Sequence, residues 1–496
     1  MIGAASSAWR QQRTDGWTAA ALFLCLLAFA TAVRARDFGN PIIHVDEQYY
    51  LLVGDRMLHG AVPYVDIWDR KPVGLFAIFA AIRLLPGDGI LAYQLVATLF
   101  ATTTAWLIAA GGRRLGASPF GALAAALAYI LWLSFLSGRG GQSPVFYNLF
   151  MAGAGVLTLC LPELAKAGRR SAIVASGAAA CFLAGLAIQT KYTPVVEGAF
   201  FGLVHLWYLR RAGASSPATI GAAVIWMVLA IVPTAAIVIA YRARGGAAFD
   251  AFWFSNFASV GLRKGYPATK IAARLAGTTT QLSPFILCAI MAWRTDPRSP
   301  AIRIAFGWLA AAFVAFAMIG AFFDHYALPL MVPLAMIAAP VLGRSWRALA
   351  GTVIMAAALL AFHLSTERDD RASVFAVAKV MAAADGAECP YVFAGDSILY
   401  HLAHACLPSA YAFPSTLAYE PERGASGADE TGEVRRIMAR RPPVVVTLDE
   451  PLAPWNQETL AIVRDALARE YRLALSAPRG DGHLLVYLRR PQPGRR

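Results

Sequence analysis

The sequence predicts an all-α polytopic membrane protein of about eleven transmembrane helices, with outer-face juxtamembrane helices and a small C-terminal α/β domain. Three observations lead there. The chain has 496 residues, of which 58% are hydrophobic and only 15% charged, whereas a soluble domain carries about a quarter charged residues. The apolar residues fall in runs close to the ~20 residues that cross a bilayer as a helix, with the charges in short clusters between them. After about residue 365 the pattern changes to charged, Pro- and Gly-containing sequence with short strand-like stretches.

Spanning runs lie near 17–33, 90–110, 119–136, 145–162, 171–188, 194–209, 219–240, 277–293, 302–322, 326–342 and 349–364. The first, Trp17 to Val33, follows Arg10 and Arg13 and has no small-residue cleavage site after it. Arg34, Arg36 and Asp37 come next, so it reads as an uncleaved helix. Basic clusters mark every second connection: Arg113 with Arg114, Lys166 with Arg169 and Arg170, then Arg210 with Arg211. Arg294, Arg298 and Arg303, then Arg344 and Arg347, complete the set. The positive-inside rule puts these clusters and the N-terminus in the cytoplasm. The connections 34–89, 137–144, 189–193, 241–276 and 323–325 then face outward, as does everything after about 365. This alternation closes only if 72–86, KPVGLFAIFAAIRLL, lies along the outer interface instead of spanning.

Two domains follow, 1–365 in the membrane and 366–496 outside it. In the second, YVFAGDS (391–397), PVVVTLD (443–449) and HLLVYLR (483–489) read as strands. Helical stretches lie near 371–385, 397–405 and 456–470. Cys25, Cys160, Cys181 and Cys288 fall within apolar spans as packing residues. Cys389 and Cys406 lie in the outer domain, where an oxidising compartment permits a disulfide and a reducing one leaves two thiols.

The net charge of +14 does not indicate nucleic acid, because the basic residues punctuate apolar segments and form no continuous stripe. Phosphate loops of the Walker type, GxGxxG, HExxH and paired CxxC motifs are all missing, so nothing indicates a nucleotide, haem or zinc site.

The outward loops hold polar residues that an anchor does not need. HVDEQYYLLVGDRMLHG (44–60) opens on Asp46 and Glu47 and continues as a helix with Tyr50, Val53, Met57 and Leu58 on one face. Asp55, Arg56 and His59 lie opposite, the pattern of a helix lying in the interface. An N-cap is the ordinary structural role for Asp46 and is compatible with a chemical one. IWDRKPVG (67–74) adds Asp69, Arg70 and Lys71, and the outer loops also contain Lys191, Arg263, Lys264, Lys270, His325 and Tyr326. The chain has six lysines against 38 arginines, and four of the six are assigned to the outer face. Glu197 and His205 lie inside the run 194–209, where an ionisable group needs a partner. Lys191, one turn away, is the expected partner of Glu197, and His205 reads as a satisfied structural histidine.

These motifs resemble the integral-membrane C-type glycosyltransferases, particularly the protein O-mannosyltransferase and lipid A aminoarabinose transferase superfamily. DEQYYLLVGDRMLHG is similar to that family's first outer loop, and WDRKPVGLF to its juxtamembrane Lys-Pro motif. GLAIQTKYTPVV is similar to the loop whose lysine lies near the lipid-linked donor, and FFDHYALPLMVPLAM to a late helix start. AGDSILYHL and PPVVVTLD resemble the outer domain of bacterial members. One departure is Ser143 in RGGQSPVFYN, where some members carry an acidic residue.

The resemblance implies transfer of a sugar from a polyprenyl-phosphate donor to an envelope glycan, lipid or protein, with inversion, at the outer face of a bacterial inner membrane. It gives Asp46 and Glu47 the catalytic role. It assigns Lys71, Arg70, Lys191, Arg263, Lys264, His325 and Tyr326 to the donor phosphate and sugar. A divalent metal ion is compatible with it, although no ligand cluster demands one. Two other classes remain open in the sequence: a flippase of lipid-linked sugars, and a non-catalytic membrane scaffold. A transporter gathers its polar groups at the midplane of repeated halves, whereas here they collect at one face and the halves differ.

Overall fold

The computed structural model describes residues 19–384 and 386–491. Arg10, Arg13 and Trp17 lie outside the described residues. Among these, nine helices are long and apolar enough to cross a membrane: Ala19–Asp37, Ile90–Arg114, Ser143–Lys166, Arg170–Ile188, Ser216–Ala243, Ala268–Thr295, Pro300–Ala317, Asp324–Leu342 and Trp346–Thr366. Helices Pro119–Phe135 and Pro194–Arg211 occupy the other two apolar runs. The chain is a multi-pass membrane protein. The stretch read as interfacial forms the helix Val73–Arg83, which at ~1.5 Å per residue is about half the length a bilayer requires.

The chain divides into two compact units. One comprises the described part of Met1–Phe38 with Gln94–Ala235 and Ala268–Ser365; the other comprises Gly39–Tyr93, Ala236–Pro267 and Thr366–Arg496. In the first, Ser143–Leu159 packs on Arg170–Ile188, which packs on Pro194–Arg211, and that helix packs on Pro300–Ala317. Asp324–Leu342 is almost wholly enclosed, whereas Trp346–Thr366 is almost wholly uncovered. Its exposed Trp346, Ile354, Phe362 and Leu364 make a surface suited to lipid. Cys181 and Cys288 are buried, but Cys25 is exposed on its helix and does not serve as a packing thiol.

The second unit contains a four-stranded sheet in the order β1-β2-β4-β3: β1 Tyr391–Val392, β2 Val444–Leu448, β3 Tyr471–Arg479 and β4 Gly482–Arg489. β1 and β2 run parallel and the other pairs antiparallel. β2 is central and buried along its whole length, which its continuous apolar run requires. Helices Arg371–Ala382, Ile398–Leu402 and Gln457–Glu470 fall where the sequence places them; Glu430–Ala439 and β3 are additional. Cys389 and Cys406 form a disulfide, with Cα atoms 5.2 Å apart across 17 residues of chain.

Two short helices, Val45–Leu58 and Val73–Arg83, pack on each other in this unit. The first is not the half-exposed amphipathic rod that its sequence suggests: Glu47 to Asp55 are all buried, while Leu58 is exposed. The reason is a set of polar attachments. Gln48 donates to Asp396 (2.9 Å), Arg83 donates to Asp55 (2.9 Å), and Arg56 donates to the Ala405 carbonyl. Burial alone raises the Asp55 carboxyl. Its hydrogen bond from Arg83 and the nearby His401 and Arg83 charges overcome this and hold it below its usual value.

Gly54 allows the close crossing of the two helices. A Cβ there would stand 2.7 Å from the Ala80 nitrogen and 2.8 Å from the Phe79 carbonyl carbon. Both are backbone atoms, so relief requires the helices to separate. Gly54→Val is expected to cost about 2 kcal/mol or more and to lower the thermal unfolding midpoint in detergent. Gly351→Ala, at a helical glycine with open space around its Cβ position, should leave the midpoint unchanged or raise it.

Candidate active site

The helix Val45–Leu58 is capped by His44, whose Nδ1 accepts from the Asp46 backbone N–H at 3.2 Å. The cap is therefore His44 and not Asp46. Asp46 lies in the first turn, where the positive end of the helix dipole favours a carboxylate. It is half-buried, while Glu47 beside it is 0% exposed. Full enclosure makes Glu47 the less accessible of the two.

Asp69 belongs with Asp46. Its carboxylate accepts the backbone N–H groups of Arg70 and of Lys71, the latter at 3.3 Å. Burial pushes the Asp69 carboxyl up; Lys71 and the Arg70 N–H oppose this, and the charge of Asp46 adds to it. The Lys71 ammonium stands 5.4 Å from the Tyr50 ring centroid, and its carbonyl accepts from Tyr64 Oη at 2.6 Å. Two carboxylates and an ammonium thus share one electrostatic field.

The three other basic residues assigned to this unit each face an acidic partner. Glu422 accepts from Arg70 through one oxygen and from Arg263 through the other, both at 2.6 Å. Lys264 pairs with Glu420. The Arg70 guanidinium also lies over the Trp68 ring, 4.9 Å from its centroid. Sequence reasoning named Asp69 without giving it a role and did not single out Glu420 or Glu422. Asp69 was signalled by its place two positions before Lys71. The glutamates carry no local signal, since Glu422 is 352 positions from Arg70.

Lys191, His325 and Tyr326 come together in the other unit. The Lys191 ammonium lies 4.2 Å from the Tyr326 ring centroid, and the Tyr326 and His325 rings meet edge to face at 4.4 Å. His325 is buried, with Nδ1 3.5 Å from Asp324. Asp324 in turn accepts from Ser137 Oγ at 2.6 Å. The partner that the structure gives Glu197 is the Trp308 indole, which donates at 2.6 Å, and not the expected Lys191. His205 is fully buried between Ser176 (3.0 Å) and the Phe201 carbonyl (2.8 Å). Nδ1 must donate to that carbonyl, which leaves Nε2 to accept from the serine. An apolar cavity of about 390 Å³ in this unit is lined by Leu282, Ile286, Phe306, Leu309, Phe313 and Leu334, among others. Among the described residues, no three His, Cys, Asp or Glu side chains gather as metal ligands.

The fold is one already seen in a solved structure. The structure is similar to that of ArnT from Cupriavidus metallidurans in the apo state, with a TM-score of 0.60 and 15% identity over 97% of this chain and 100% of that one. Fainter matches, both with a TM-score of 0.49 and 10% identity, are to the Archaeoglobus fulgidus oligosaccharyltransferase. One is its apo form, over 87% of this chain and 69% of that one. The other is AglB in complex with an inhibitory peptide and a dolichol-phosphate, over 88% and 70%. No protein-family model and no curated protein matches the sequence.

The raised pKa of Asp69 has a consequence for stability. The folded chain keeps a proton on this carboxyl over an interval of pH in which the unfolded chain has already lost it. Stability contributed by the site therefore falls as pH rises through that interval. Asn retains an oxygen for the two N–H donors without the buried charge. Asp69→Asn is expected to unfold a few degrees higher than the parent at neutral pH, the gap closing in acid. Thermal unfolding across pH checks this, and a less stable variant at neutral pH contradicts it.

Proposed function

We propose that the chain is a glycosyltransferase that moves a sugar from a polyprenyl-phosphate donor to a hydroxyl or phosphate acceptor at the outer face of a bacterial inner membrane. The observation that carries this reading is the electrostatic grouping of Asp46, Asp69 and Lys71 within an ArnT-like fold. In this reading the N-terminus is cytoplasmic, and residues 366–496 with the two short helices lie on the periplasmic side.

For a hydroxyl acceptor the chemistry needs few groups. The acceptor oxygen attacks the anomeric carbon, the bond from that carbon to the phosphate oxygen breaks, and its electron pair leaves on the phosphate. Configuration inverts. The acceptor proton passes to a carboxylate, for which Asp46 is assigned as base, with Asp69 and Glu47 shaping its field. The leaving phosphate is a stable anion, so it needs positive charge and not a strong acid. Lys71 supplies that charge, with Arg70, Arg263 and Lys264 as further donor ligands. Lys191, His325 and Tyr326 are assigned to donor binding within their own unit. The apolar cavity between the helices suits a prenyl chain. The acceptor, whether glycan, lipid or protein, meets the outer domain.

Sugar transfer from a labelled polyprenyl-phosphate donor in proteoliposomes tests the assignment. Asp46→Asn is expected to lower kcat about 10²–10⁴-fold, and Lys71→Met to lower kcat/KM about 10²-fold or more. Lipid movement across the bilayer should be unchanged in both. Retained transfer by Asp46→Asn would reject the base, and lost lipid movement would favour a flippase. Cysteines introduced beside Asp46 and Lys191 should both react with an impermeant maleimide from the periplasmic side.

A further inference from the structure

The turn Glu420–Glu422 brings two carboxylates to three cations that the proposed function assigns to the donor phosphate. Glu422 is held on both oxygens, by Arg70 from one segment and by Arg263 from another, and its side chain is only 14% exposed. Glu420 takes Lys264 from the same loop as Arg263. The turn is itself anchored: the Glu420 N–H donates to the Pro454 carbonyl at 2.8 Å, and Arg423 pairs with Glu458. Arg70 is braced from its other side by Trp68. Two guanidiniums converging on the two oxygens of one carboxylate is the arrangement that the two unesterified oxygens of a donor phosphodiester also satisfy.

We propose that Glu422 is an internal stand-in for the donor phosphate. It holds Arg70 and Arg263 together in the donor-free chain and is displaced when a polyprenyl phosphate binds them. This rests on the reading of Arg70 and Arg263 as phosphate ligands. The physical logic is competition. Two unaccompanied guanidiniums near each other repel, so a carboxylate between them keeps the pair assembled. The same carboxylate must leave before the donor's phosphate takes its place, which lowers donor affinity. Glu420 and Lys264 make a second, more exposed contact of the same kind.

Binding of a polyprenyl monophosphate and of the uncharged polyprenol to the full chain in detergent distinguishes the possibilities. Glu422→Gln should lower the Kd for the monophosphate about tenfold and leave that for the polyprenol unchanged. Arg263→Gln should weaken binding of the monophosphate alone. If Glu422→Gln binds the monophosphate no better than the parent while Arg263→Gln binds it worse, the stand-in is overturned and the phosphate reading stands. If no variant discriminates phosphate from alcohol, the phosphate reading falls and the stand-in falls with it. A second measurement needs no variant to fold: adding the monophosphate to the parent chain should raise amide hydrogen exchange at 419–424. Unchanged or reduced exchange there overturns the displacement.

Discussion

Ion pairs that join distant segments are the interaction on which the carboxylate-bearing unit depends. That unit is assembled from 39–93, 236–267 and 366–496, and Glu422 joins all three by ion pairs. Asp396 receives Arg479 through two hydrogen bonds, at 2.8 and 2.9 Å, and Gln48 through a third. Asp55 receives Arg83, and Glu422 receives one arginine from each of the other two segments. Removing one member of a buried pair strands the other without water, at a cost of about 3–5 kcal/mol. The unit therefore holds together as a set of mutually dependent contacts. The helix carrying Asp46 is fixed by that set, since Gln48, Asp55 and Arg56 hold it from one side to the other.

In the membrane unit the constraint is different. Polar groups there are few, and several of the buried ones are satisfied locally or by one specific donor. Thr98, Thr102 and Thr104 return their hydroxyl protons to carbonyls four residues earlier. Asn148 donates to the Leu328 carbonyl across helices, and Trp308 serves Glu197. Pro233 and Pro284 sit inside long helices, a placement that neighbouring helices make tolerable in a membrane. Such a body gains its cohesion from packing and is a stiff base for groups placed at helix ends.

The difference between the units explains what the sequence made legible. A run of about 20 apolar residues has one stable solution in lipid, so each of the eleven runs can be read alone, and each is a helix. The short 72–86 stretch was legible for the same reason, through its length. β2 and β4 announce themselves by β-branched and alternating apolar residues. β3 does not: it pairs only with β4, is mostly exposed, and breaks its register between Leu473 and Leu475. The Val45–Leu58 helix was placed correctly but misjudged in burial, because some of the groups that enclose it, such as Asp396 and Ala405, are hundreds of positions away. The same holds for the partners of Arg70 and Arg263. Local pattern encodes elements; it does not encode which glutamate meets which arginine.

Asp69 shows how these constraints meet at the carboxylates. Its half-buried charge is unfavourable, and the nearby Asp46 makes it more so, while Lys71 and two backbone N–H groups limit the damage. A fold selected for stability alone would place a neutral residue there. The arrangement is intelligible if a carboxylate of raised basicity is wanted beside a fixed positive charge. Lys71 then has two physical effects that cannot be separated by its removal. In the proposed function it offers charge to an arriving anion, and it favours the ionised form of Asp69. Because both effects run through one ammonium, an anion bound to Lys71 would weaken its hold on Asp69 and make that carboxylate a stronger base. In the proposed function, the field that Asp69 sets around Asp46 would thus change as the phosphate arrives, a coupling that follows from Coulomb's law acting over a few ångströms.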